Sequence, residues 1–343
     1  MRLSSLGDVT HVVPVIRTLQ RERPSARLTW IIGKVEHQLV GDIPGVEFLV
    51  FDKRAGWRAW RDLRRQLRSR RFDVLLLMQV ALRANLLSGL VSARTRIGYD
   101  RARAREAHRF FVNRHVAPPP PGVQHVVDAF GSFLEPLGIQ QTDVRWDIPI
   151  PAEATAWAEE QLPGSQPTLV ISPCSSHARR NWHVAGYAAV ADHAYERHGF
   201  RVALCGGRSA TEQTMGAAIR AAVRAPVIDL MGKDTLKRLL AVLRRARVVL
   251  TPDSGPMHLA NAVGTPVIGL HAATDSRRSG PYSDRRFCVD RFRDAALRYA
   301  GREPEKLRWG TRLERPGVMD LISTADVMAA FDLYVAAGGL PPR

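Results

Sequence analysis

The chain has 343 residues, 45% hydrophobic and 24% charged, the size and make-up of two domains of about 150 residues, each with a sizeable core. No apolar run approaches 18 residues, and Asp8 stands where a signal peptide carries its apolar stretch, so neither a spanning helix nor secretion is supported and a cytosolic protein is expected. The formal charge of +17 points to an anionic partner, while Cys174, Cys205 and Cys288 show no metal or redox spacing and read as reduced structural thiols.

Val9, Val12, Val13, Ile16 and Leu19 share one helical face, which predicts a helix over 9–21 directly behind Gly7-Asp8. A glycine-acid turn of this kind normally follows a buried strand, yet only Met1-Arg2-Leu3 precede it. The runs "RLTWIIG" (27–33), "VEFLVFD" (46–52) and "FDVLLLM" (72–78) read as strands separated by helical patterns, the signature of a mostly parallel, doubly wound sheet. Two arginine clusters, 53–71 and 94–109, are either solvated helix faces or an anion-binding surface. A proline turn in 115–125, including Pro118–Pro121, leads to a helix around 126–137, and the extended stretch 143–154 reads as the interdomain crossing. The pattern then restarts, with strands at 168–173, 201–207, 227–230, 247–252 and 265–271 alternating with helices at 184–198, 209–223, 235–245 and 256–263. A capped helix over 324–337 closes the chain.

The most informative segment is "VVLTPDSGPMHL" (248–259). A buried strand ends at Leu250, Asp253-Ser254-Gly255 turns the chain, and Pro256 opens a helix where a missing N–H costs nothing. First-turn amides, the Ser254 hydroxyl and the positive end of the helix dipole make a seat for phosphate. His258 would add a donor, and Asp253 would accept from sugar hydroxyls; the alternative is an ordinary turn capped by Asp or Ser. The loop 273–282, with Thr274, Asp275 and Gly280-Pro281-Tyr282, follows a neighbouring strand end, as does 171–182, with Ser172, Ser175, Ser176 and Arg180. Three polar loops thus converge on one edge.

Together "SSLGDVTHVVPVIRTLQ" (4–20), "LLMQVALRAN" (76–85), "RIGYD" (96–100), "SPCSSHARRNW" (172–182), "LCGG" (204–207), "TPDSGPMHLANAVGTPVIGL" (251–270) and "TDSRRSGPY" (274–282) resemble, in order, the ADP-heptose lipopolysaccharide heptosyltransferases of glycosyltransferase family 9. The likeness is spread over most of the chain. It implies an α/β protein of the GT-B fold, with a Rossmann-like acceptor domain over 1–150 facing a nucleotide-sugar domain over 151–320 across a cleft. A C-terminal helix within 321–343 would pack back on the first domain. It also implies inverting transfer of heptose from ADP-heptose to the Kdo/heptose inner core of lipopolysaccharide.

On this resemblance Asp8 matches the acid after the Ser-x-Gly turn and would be the general base, since a partly desolvated carboxylate gains basicity; its other reading is a helix N-cap. Arg180 stands where the family often has lysine and would stabilise departing ADP electrostatically, because arginine titrates far less readily. Glu212 would take the ribose hydroxyls or be a solvated helix glutamate. With Ser175, Asp253, Ser254, Gly255, Pro256, His258, Thr274 and Asp275 it makes up the expected donor set. Ser5, Gly7 and Gln79 fit acceptor positions, and Arg54, Arg58, Arg83 and Arg101, with Arg103 and Arg105, would meet the phosphates and carboxylates of Kdo-lipid A at the cytosolic face of the inner membrane. Trp57 and Trp60 would lie at that interface, on sugar rings, or in helix packing. The cleft loops hold no DxD-like pair, so metal independence is expected, with no cofactor beyond the donor substrate.

A peripheral, monomeric enzyme without a nucleic-acid partner is expected. The nucleic-acid alternative, motivated by charge, calls for interleaved aromatic and basic residues, whereas aromatics make up 7% and the arginines lie on helical patterns. A nucleotide-sugar epimerase would need more acids at the three loops, and an inactive homologue is the remaining reading. Family members begin with an apolar strand of about six residues. Three residues in its place would leave neighbouring backbone groups unpaired, at several kcal/mol, so an upstream start or a clipped chain is expected.

Overall fold

The computed structural model describes residues 1–120, 122–140 and 142–338. Pro121 of the expected proline turn and residues 339–343 of the expected C-terminal segment lie outside the described residues. The chain divides into two compact units, Met1–Pro149 and Ile150–Arg343.

In the first unit α1 (Leu6–Glu22), β1 (Leu28–Gly33), α2 (Lys34–Val40), β2 (Val46–Phe51), α3 (Trp57–Leu67), β3 (Phe72–Leu76), α4 (Leu82–Ser88), β4 (Ala93–Gly98), β5 (Arg114–His115) and α5 (Val126–Gly131) follow in order. The β1/β2, β3/β4 and β4/β5 pairs are all parallel. Between β1 and β3 lies the slot in which unpaired backbone is expected, and that expectation is corrected. The Met1 amino group donates to Leu76 O at 2.6 Å, and Met78 N donates to Met1 O at 3.1 Å. On the other side Arg2 N donates to Ile31 O at 3.2 Å and Gly33 N to Leu3 O at 3.0 Å. Met1 and Leu3 are buried with Ile31, Leu49, Leu75 and Leu77 in the unit's core. Three residues therefore bridge the two ladders, because pairing requires backbone groups at the right spacing rather than a long apolar run. The expected helix at 126–137 is split: α5 stops at Gly131, and a separate single turn, Glu135–Leu137, has Pro136 at its start.

In the second unit α6 (Ala152–Gln161), β6 (Thr168–Ile171), α7 (Val184–His198), β7 (Arg201–Leu204), α8 (Ala210–Ala222), β8 (Val227–Asp229), α9 (Leu236–Arg245), β9 (Val248–Pro252), α10 (Gly255–Ala262), β10 (Val267–His271), α11 (Ser276–Ser279), β11 (Val289–Asp290), α12 (Phe292–Ala300) and α13 (Thr324–Ala336) follow in order. Residues 152–154 of the expected crossing thus already belong to a helix. The strands form one parallel sheet ordered β11-β10-β9-β6-β7-β8. Its central strands are buried on both faces and so read as continuous apolar runs. Val327, Phe331 and Tyr334 of α13 are buried in the second unit's core with Tyr187, Phe200 and Phe287. The Tyr334 hydroxyl donates to Arg247 O at 2.7 Å.

Candidate active site

The strand order of the second unit reverses between β6 and β9, and in an open α/β sheet the ligand crevice lies outside the carboxyl ends of the strands at that point. β9 runs directly into Asp253 and Ser254, and Ser254 is the N-cap of α10 with Pro256 in its first turn. No side chain caps that turn; the Ser254 hydroxyl pairs instead with Thr251 Oγ1 at 2.9 Å. The amides of Gly255 and Met257, which have no partner within the helix, therefore face the crevice at the positive end of the helix dipole.

Asp253 is buried behind this turn. Ser279 Oγ donates to its Oδ2 at 3.2 Å, Arg180 Nη1 stands 3.7 Å from Oδ2, and His258 Nε2 stands 3.6 Å from Oδ1. Burial alone would raise the Asp253 carboxyl; the hydrogen bond and charge of His258, with the charges of His271 and Arg180, outweigh it and hold the group well below the usual carboxylate range. Arg180 is itself buried and donates to Glu314 Oε1 from Nε at 2.8 Å and Nη2 at 2.6 Å. His177 Nε2 lies 3.4 Å from the other Glu314 oxygen. Glu314, Ser279, His271 and His177 are the members of this cluster that sequence reasoning misses. The result is a buried cation held between two acids beside a helix N-terminus.

The remaining donor candidates frame the same edge in structural roles. Ser175 closes its loop, its hydroxyl donating to His177 O at 3.0 Å and accepting from His177 N at 3.1 Å. Asp275 caps α11 and pairs with Arg277 at 2.8 Å, and Thr274 Oγ1 lies 3.3 Å from His271 Nδ1. Glu212 sits in the first turn of α8, where Oε1 accepts from Gly207 N at 2.8 Å and Oε2 from the Ser209 hydroxyl at 2.6 Å. Asp234, which the sequence does not single out, is pushed up to about 7 by burial and by the charge of Glu212. The three cysteines are free, and burial pushes Cys174 up to about 11 and Cys288 up to about 12, the behaviour of inert thiols.

In the first unit the segments after Leu3, β2, β3 and β4 all leave the carboxyl edge of the sheet. Asp8 lies there, three residues past the N-cap of α1, accepting on Oδ2 from Ser5 N at 3.3 Å and the Ser5 hydroxyl at 3.0 Å and pairing with Arg2. Gly7 is buried in the same turn. Gln79 Oε1 accepts from Leu3 N at 2.8 Å, so it anchors the bridging segment. Arg54, Arg58, Arg83, Arg101 and Arg105 are exposed, whereas Arg103 is buried, paired with Asp100, and donates to Ala117 O at 2.7 Å. That burial corrects its reading as an acceptor ligand. Trp60 meets Phe51 edge-on at 6.2 Å, while Trp57 is exposed beneath Arg61. Leu82, Leu86 and Phe110 are exposed together with Arg83 and Arg109, because His108 ties the loop after β4 to α4 through Asn85 Oδ1 at 2.8 Å.

Two parallel, doubly wound units joined in one chain constitute a GT-B glycosyltransferase fold. The sequence profile of glycosyltransferase family 9 (heptosyltransferase) matches residues 60–301, and the chain belongs to that family. It is 35% identical to a lipopolysaccharide core heptosyltransferase of Haemophilus influenzae, over 96% of this chain and 94% of that one. Among solved structures, a family 9 glycosyltransferase from Veillonella parvula superposes with a TM-score of 0.79 at 20% identity, covering 98% of this chain and 95% of that one. The ADP-heptose lipopolysaccharide heptosyltransferase II of Escherichia coli gives 0.73 at 16% identity, covering 99% and 98%.

Proposed function

We propose that the protein transfers heptose from ADP-heptose to the Kdo/heptose inner core of lipopolysaccharide in one inverting displacement. The observation that carries this reading is the uncapped first turn of α10 beside the Asp253–Arg180–Glu314 cluster at the strand-order reversal. An acceptor hydroxyl attacks the anomeric carbon, the bond from that carbon to the diphosphate oxygen breaks, and Asp8 takes the hydroxyl proton. ADP leaves with its electron pair, and its negative charge meets the α10 amides, His258 and Arg180, which are fixed before the reaction begins. Glu212 receives the ribose hydroxyls. This charge set supports a mechanism without a metal ion, to be checked by turnover in excess chelator.

The acceptor is a polyanionic glycolipid, recognised by the exposed arginines of the first unit. Leu82, Leu86 and Phe110, rimmed by Arg83 and Arg109, form a surface suited to the cytosolic face of the inner membrane, where a peripheral enzyme meets lipid A. Incubation with ADP-heptose and Kdo-lipid A, followed by mass spectrometry, should yield acceptor heavier by one heptose. Full recovery of unmodified acceptor and intact donor would overturn the assignment.

A further inference from the structure

Outside the donor edge, α7 carries two histidines five residues apart, His193 and His198, and both aim Nε2 at one oxygen of Asp332 on α13, at 2.6 and 2.7 Å. α7 leaves the carboxyl side of β6 and ends just before β7 begins, so its last turn lies at the amino ends of the strands, opposite Asp253. The register that brings the three together is set by Phe331. Its buried ring lies 5.1 Å from Phe200, 5.5 Å from His198 and 6.3 Å from His193, which delivers the next residue, Asp332, between the two imidazoles. The imidazoles meet edge to face at 5.2 Å, so their nitrogens converge instead of stacking.

We propose that His193, His198 and Asp332 form a site for a divalent transition-metal ion of the zinc or nickel class, which staples α13 to α7. The three ligand atoms lie within 4.8 Å of one another, and among the described residues they form the one such group of three. An ion with bonds of about 2.0–2.2 Å fits between atoms so placed after small rotamer shifts. Two imidazoles and one carboxylate suit Zn²⁺, Ni²⁺ or Cu²⁺ and offer too few oxygens for Ca²⁺ or Mg²⁺. Without an ion, a single carboxylate oxygen accepts from two N–H groups. With one, each Nε2 lone pair turns to the metal, the ring proton moves to Nδ1, and water completes the coordination on the exposed side of Asp332. The site fixes the last helix of the second unit and takes no part in transfer.

Full-length protein, freed of tag and metal, is titrated with Zn²⁺ and with Mg²⁺ by calorimetry and thermal unfolding, alongside H193Q, H198Q and D332N. At about a hundredfold excess over Kd, Zn²⁺ should raise the unfolding midpoint by roughly 5–10 °C and Mg²⁺ should not. Each variant should bind Zn²⁺ at least about tenfold more weakly, in line with loss of one ligand, while keeping its ADP-induced shift. Zn²⁺ affinity unchanged in H193Q and H198Q, or no binding below about 1 mM, a level too weak for a built site, overturns the proposal. Should a variant fail to fold, diethylpyrocarbonate labelling of the native protein decides: Zn²⁺ must protect His193 and His198, and protection confined to other histidines refutes the site.

Discussion

Arg180→Met removes a buried cation that faces two acids. The guanidinium donates twice to Glu314, at 2.8 and 2.6 Å, and stands 3.7 Å from Asp253. At an effective dielectric of 20, one charge contact near 4 Å is worth about 4 kcal/mol before desolvation is counted. Removing one partner of a buried pair costs about 3–5 kcal/mol, because the other charge remains buried and uncompensated. In a unit of this size 1 kcal/mol corresponds to about 2–4 °C, so the unfolding midpoint should fall by roughly 6–20 °C. Methionine keeps most of the stem's apolar packing, which assigns the loss to charge. Glu314→Gln in the same chain removes one stranded acid, so R180M/E314Q should be more stable than the sum of the single effects by at least about 1 kcal/mol. Thermal unfolding of the four proteins at neutral pH, with and without ADP, gives every number needed. Strict additivity, or an R180M midpoint within about 2 °C of the parent, refutes the reasoning.

Asp8→Asn should lower kcat by at least about a hundredfold while the ADP-induced thermal shift is kept, and Asp8→Glu should fold normally yet turn over slowly, both read from product mass and midpoint. Asp234 is raised to about 7, so its cost is absent below about pH 4, grows as pH rises to 7 and is constant above; D234N should gain about 2–4 kcal/mol at pH 8 and nothing at pH 4 in urea unfolding. His108 has the opposite sign: burial first, and then the charge of His115, lower it to about 4, so its contribution is complete above about pH 6.5 and lost as pH falls towards 4. Between pH 7 and pH 5 the parent should lose about 2 kcal/mol that His108→Gln does not lose. Vesicles containing anionic lipid should pull the protein into the floating fraction, and L86D/F110D should reduce that several-fold; equal flotation removes the patch from the membrane reading.

What the sequence made readable was local chemistry. The β9 turn and α10 are legible because strand, turn and helix signals lie within a dozen residues, and helix 184–198 matches α7 because Gly199 ends it in the left-handed region, at φ 67°. The two-residue strands β5 and β11 carry no pattern of their own and exist through pairing with β4 and β10. Glu314 was equally hidden, since it reaches Arg180 from 134 residues away in an irregular segment without periodicity. Charge counting also merges arginines that burial separates: Arg103 is a strut that donates to Ala117 and Gln124, whereas its neighbours Arg101 and Arg105 face solvent.

In the mechanism proposed above, Asp8 would serve as helix cap and as base at once. As the third residue past the N-cap, its carboxylate complements the positive end of α1 and satisfies the Ser5 amide, a task that glutamate at the same position performs at least as well. Proton transfer asks something narrower, an oxygen within about 3 Å of one hydroxyl along one direction. Arg2, in the bridging segment that completes the sheet, and Ser5, the N-cap of α1, both bind the same oxygen and would supply that fixity. An added methylene leaves the first demand met and breaks the second. Stability and turnover therefore separate in the glutamate variant only if the helix terminus serves to aim the carboxylate as well as to begin the helix.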